Sequence, residues 1–325
     1  MKLVIDMMGG DLGNKSTIPA VKKFLSEHDD VEIFAVGDSN VGESFNNVKN
    51  VKTLISKTVL AMDVDPMTAY RDNESSLMVG VNAFLKNNCD ALVSAGSSGA
   101  LLTASIFKIK RLENVKRPGF ITTFPSMKEN KYFVVCDVGA NNANTPEELH
   151  QFAKMASLYY EFNFNKSNPV VGLLSNGTED EKGSPVTKEA FKLLKNDAEI
   201  NFFGNIEGRD VLFSNVDVLI CDGFTGNVFL KTTEGTAKAM SYMLKEVFKQ
   251  NLWTKLSYLI CRKGLKKMKD KMDYKKVGGA LLVGVNGVVI KAHGSSDENA
   301  FLSALELAYR LTKANIIEKM REALK

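Results

Sequence analysis

The sequence predicts an α/β protein: three α/β/α layers around a mostly parallel mixed sheet, with an amphipathic helical segment projecting from it. Two observations carry this. Short β-branched runs recur along the whole chain, apolar throughout rather than alternating, as strands covered on both faces require. Between them lie helical patterns, and the runs end in Gly, Asp or Asn, residues suited to the turn from strand to helix. The strands expected are 2–6, 31–37, 91–96, 132–137, 169–175, 200–204, 216–222 and 287–291. No repeat or low-complexity linker interrupts the 325 residues, so a single unit, residues 1–325, is expected, with two intertwined lobes as a variant.

The first strand begins at Lys2, which leaves no room for a signal peptide, and nowhere do eighteen apolar residues run together. A cytoplasmic protein, at most peripheral to a membrane, is the expectation. Cys89, Cys136, Cys221 and Cys261 are scattered without a CxxC pair or Cys/His ligand spacing, so neither disulfide nor metal is expected. The net charge of +4 is unevenly placed: residues 262–276 carry +6 and the remainder −2. Such a local concentration suits one anionic partner and argues against general nucleic-acid binding.

Glycine-rich loops follow five of the strands: 6–11, 94–100, 137–141, 222–227 and 291–296. Strand ends of this kind carry the working residues of open α/β sheets. Backbone N–H groups exposed around Gly9, Gly10, Ser97 and Ser98 suit phosphate or a developing oxyanion, although any one such loop can be a plain turn. The dinucleotide and P-loop fingerprints are missing, and so is a nucleophile elbow. Chemistry without a cofactor or a covalent enzyme intermediate is therefore expected. Lys182, in a polar loop, is either a phosphate clamp or a solvated lysine before a helix capped near Thr187. Asn227 either donates to a carbonyl oxygen or holds a turn, and His293, in a Gly/Ser loop, is a candidate acid or phosphate donor.

Taken together, these loops resemble the bacterial phosphate acyltransferases that make acyl-phosphate from acyl carrier protein thioesters. The resemblance runs end to end. It rests on Asp6–Asp11, Ser94–Ala100, Arg117-Pro118, Asp137–Asn141, Gly204–Asp210, Asp222–Asn227 with Leu230-Lys231, and Ile290–Ser296. It implies a fold like the isocitrate and isopropylmalate dehydrogenases, a homodimer, no metal or nucleotide cofactor, and catalytic roles for Lys182 and Asn227. It also suggests substrate contacts at Asn141 and Gly226. The sequence departs from the family near Asn14 and Lys15, where a proline is usual, and around Arg71, where basic residues are usually denser.

The segment 247–276 has its own character. Leu252, Trp253, Leu256, Leu259 and Ile260 follow helical spacing directly before the basic run, with Gly264 as a candidate break. An apolar stripe beside dense lysine marks a helix lying on an anionic membrane surface; its alternatives are a dimer contact or a dock for the acidic carrier protein.

Overall fold

The structure, a computed structural model, describes residues 1–129, 131–272 and 278–325. Among them runs one sheet of eleven strands. In chain order they are β1 (Lys2–Asp6), β2 (Glu32–Gly37), β3 (Val51–Ile55), β4 (Ala91–Ser94), β5 (Gly119–Pro125), β6 (Tyr132–Cys136), β7 (Val171–Ser175), β8 (Phe202–Glu207), β9 (Val218–Ile220), β10 (Ala280–Val283) and β11 (Val288–Lys291). Across the sheet the order is β3-β2-β1-β4-β11-β10-β5-β6-β9-β7-β8. The flanks are parallel, while the centre is antiparallel where β10 meets β11 and β5, and where β5 meets β6. All eight expected strands are present, with ends displaced by a few residues; β3, β5 and β10 were not foreseen.

Successive residues of a strand point to opposite faces. Leu3 and Ile5 of β1 accordingly enter one apolar cluster and Val4 the other. The first face is covered by α1 (Asn14–Glu27), α6 (Pro146–Phe164), α7 (Pro185–Asn196), α10 (Glu298–Lys313) and α11 (Ile316–Ala323). On the second lie α3 (Pro66–Arg71), α4 (Ser76–Lys86), α5 (Ser98–Ala104) and the first turns of α8 (Gly223–Lys249); the short α2 (Ser39–Ser44) packs on β2 and β3. This is the expected three-layer arrangement.

Most helices start where a short polar side chain satisfies an orphan N–H. Asp222 caps α8 through Thr225, and Thr145 with Glu148 forms a capping box on α6. The helix expected near Thr187 starts at the Ser184 cap, whose hydroxyl accepts from the Thr187 N–H.

Only Gly223, Gly226 and Glu234 of α8 are buried, so the rest of this 27-residue helix leaves the body. It turns at Gln250-Asn251 into α9 (Leu252–Met272), which returns alongside it. The segment 247–276 is thus not one helix, and Gly264 does not break α9: a glycine inside an otherwise well-formed helix weakens it without ending it. Residues 273–277, including Lys275 and Lys276 of the basic run, lie outside the described residues. At the hairpin tip Leu252, Trp253 and Ile260 are 76%, 79% and 85% exposed, with Leu256 and Leu259 also in solvent. No helix among the described residues is long and apolar enough to cross a membrane.

Candidate active site

Asp6, Ser94 and Lys291 end the adjacent parallel strands β1, β4 and β11 in register with one another. Asp6 organises the first loop. Its Oδ1 accepts from the Met8 and Gly9 N–H groups, and its Oδ2 accepts from the Ser94 hydroxyl at 2.7 Å. The loops then touch: a Cβ on Gly9 would stand 2.6 Å from the Gly96 nitrogen, and the Asp11 N–H donates to the Gly294 carbonyl. Gly9 and Gly10 therefore knit three loops into one wall.

Asp137 does the same at the end of β6. It accepts from the N–H groups of Phe120, Gly139, Ala140 and Asn141 and from the Asn141 side-chain amide. Burial pushes its carboxyl up, and these donors pull it back. Asn141 also donates to the Pro118 carbonyl, so its amide serves this loop. Gly223 and Gly226 let α8 close on it. A Cβ at Gly226 would lie 1.8 Å from the Asp137 carbonyl oxygen, and one at Gly223 2.1 Å from that of Asn141.

Between these walls is a polar cavity of about 440 Å³, within the range of small-ligand sites. Asp11, Ser98, Asn227, Lys231, Lys291 and His293 all reach it. The Ser295 N–H and hydroxyl both approach Nδ1 of His293, which places the ring N–H at Nε2, 3.6 Å from Glu234 Oε1. Glu234 is buried, and its other oxygen receives Lys231 at 3.2 Å. Lys291 Nζ is buried and donates to the carbonyls of Ala95 (3.3 Å) and Ala292. Burial first, then the Lys231 charge, push the Lys291 ammonium down to about 8, against the pull of Asp6 and Asp11.

An apolar groove of about 970 Å³ adjoins the cavity, and Phe124 and Glu234 line both. Leu174, Leu212, Val228, Phe229 and Met240 form much of its wall, and Met268 of α9 reaches over it.

The sequence-predicted residues divide accordingly. Ser98, Asn227 and His293 meet at the cavity. Ser97 caps α5, while Gly9, Gly10, Asn141 and Gly226 shape the loops behind it. Lys182 is exposed on the 176–184 loop, beside the Gly183 and Ser184 that line the groove; a Cβ on Gly177 would strike its stem. Lys231, Glu234 and Lys291 were not singled out as site residues. The first two had a signal: positions 227, 231 and 234 share one face of a helix that starts at a capping Asp.

A polar chamber at the strand ends beside an apolar groove is an arrangement suited to an acyl-group transferase. The chain matches the family described as "Fatty acid synthesis protein" over residues 1–319. It is 42% identical over 318 residues to the phosphate acyltransferase of Bacillus pumilus, covering 97% of this chain and 95% of that one. Against the phosphate acyltransferases of Bacillus subtilis and Macrococcus caseolyticus it is 40% identical, over 100% and 99% of this chain and 98% of each relative. The chain belongs to the phosphate acyltransferase family. Its fold is shared with a branched-chain phosphotransacylase from Enterococcus faecalis (TM-score 0.61, 16% identity, 96% of this chain and 99% of that one). It is shared also with a 4-hydroxythreonine-4-phosphate dehydrogenase from Klebsiella pneumoniae (TM-score 0.51, 9% identity, 96% and 98%), which extends the likeness to the dehydrogenases.

Proposed function

We propose that the protein transfers a long-chain acyl group from acyl carrier protein directly to inorganic phosphate, the first step toward phosphatidic acid. The observation that supports this most is the shared wall of cavity and groove: Phe124 and Glu234 border both, so phosphate in one faces a thioester carbonyl entering from the other. Phosphate is an anionic nucleophile already, and the thiolate leaves readily. Catalysis then consists of alignment and stabilisation of the tetrahedral oxyanion. Asn227 donates to that oxygen, Ser98, Lys231 and His293 hold phosphate, and Lys182 swings from the groove rim as a further cation. His293 Nε2–H is also placed to protonate the departing sulfur. Purified protein with palmitoyl-carrier-protein thioester and phosphate, free of metal and nucleotide, is expected to form acyl-phosphate. Turnover confined to short acyl-CoA thioesters would sink the carrier-protein reading.

The hairpin is read as a membrane dock for a cytoplasmic, homodimeric enzyme. Its supports are the exposed apolar tip and the seven basic residues Lys245, Lys249, Lys255, Arg262, Lys263, Lys266 and Lys269 lining the cleft between α8 and α9. Trp253→Glu combined with Leu256→Glu is expected to weaken binding to phosphatidylglycerol vesicles at least about tenfold, since each large side chain carries about 1.5–3 kcal/mol of transfer energy. Vesicle co-sedimentation checks it, and unchanged affinity would leave the tip to the dimer or the carrier protein.

A further inference from the structure

We propose that Lys291, at the end of β11, is a phosphate-contacting residue of the polar cavity; this rests on the transfer to phosphate proposed above. The case is geometric. Lys291 ends β11 beside Ser94 of β4, and its side chain lines the polar cavity rather than the outer surface. An ammonium carries three N–H donors. Two are met by the Ala95 and Ala292 carbonyls, and no carboxylate forms an ion pair with Nζ among the described residues. Buried cations are ordinarily paired. Here the third donor faces a chamber that also presents Lys231, His293 and Ser98, a donor set suited to a compact oxyanion.

The charges around it decide the direction. Asp6 and Asp11 come from the β1 loop, Lys231 and Glu234 from α8, and His293 from its own loop. Lys231 has Glu234 as its counter-ion, whereas Lys291 is buried without a carboxylate close enough to offset burial and the Lys231 charge, and its ammonium is held at about 8. A phosphate dianion supplies the missing charge and pulls the lysine back toward its ordinary range. Below about 8 the free enzyme presents a cation to phosphate; above it, the proton must be taken up before binding.

Steady-state kinetics with inorganic phosphate as the varied substrate tests this. For the wild type, kcat/KM for phosphate is expected to fall about tenfold per pH unit on the alkaline side, while KM for the acyl-carrier-protein thioester stays level. Lys291→Met is expected to raise the phosphate KM by about 10–100-fold at pH 7 and to flatten that alkaline limb. Lys291→Arg, charged throughout, should push the limb out of the measured range, and it carries the test if the methionine variant does not fold. A phosphate KM unchanged in Lys291→Met, or the same limb in Lys291→Arg, would overturn the assignment alone. Absence of phosphate-dependent turnover in the wild type would overturn it together with the reading on which it rests.

Discussion

Asn227→Ala is expected to lower turnover about 10²–10³-fold, as removal of an oxyanion donor typically does, with little change in thermal stability. The side chain is exposed in the first turns of α8, lies against Gly139, and makes no hydrogen bond among the described residues. Its loss therefore removes a donor without opening a core. Lys182→Ala belongs in the same experiment: a comparable fall in kcat with an intact fold is expected. Normal turnover in both variants would remove these residues from the chemistry. A raised KM with unchanged kcat in Lys182→Ala would make it a binding group only.

Gly226→Ala is expected to be the most damaging single methyl in the protein's active region. The added Cβ would stand 1.8 Å from the Asp137 carbonyl oxygen and 2.7 Å from Cys221 Sγ, and the first of these is backbone, held where the Asp137 N–H donates to the Cys221 carbonyl. No rotamer change relieves that contact, so α8 must lift off the β6 loop. Overpacking of this kind costs about 3 kcal/mol or more, and Asn227, the next residue, moves with the helix. A lowered melting temperature together with lost activity is the expected pair of results, measured by circular dichroism and acyl-phosphate formation. A folded variant with ordinary turnover would show that α8 is seated less firmly than these distances require.

Much of the fold was legible because parallel strands buried on both faces are apolar along their whole length. Two of the three strands that escaped lack that signature, while β10 (Ala280–Val283) is apolar throughout and was simply not separated from β11, which follows it after four residues. β3 is an edge strand with Lys52 and Thr53 in partial or full exposure. β5 carries Thr122 and Thr123 mid-strand, where both line the polar cavity. Site function thus disguised the strand, and the antiparallel centre of the sheet went unseen with it. Ser98, Asn227 and His293 were legible from loop chemistry. Lys291 was hidden by being the last residue of an apolar strand, and Glu234 by lying two helical turns beyond its loop. The separation of Lys182 from the polar cavity depends on the course of the 176–184 loop, which local pattern does not encode.

One consequence of α8 concerns mechanics. The residues that face the cavity occupy its first three turns, and the same helix then runs to the exposed tip with α9 alongside it. Gly235, immediately after the last buried position, has nothing within 4 Å of where a Cβ would be, so no neighbour demands a glycine there. It leaves the helix softer by about 1 kcal/mol than alanine would, at the point where it departs the body. About seventeen residues of arm, roughly 26 Å, extend from that fulcrum to Leu252, so a 5° tilt displaces the tip by about 2 Å. Whatever grips the tip holds a lever whose short end carries Asn227 and Lys231, and the compliance at Gly235 sets how much of a pull at one end is felt at the other.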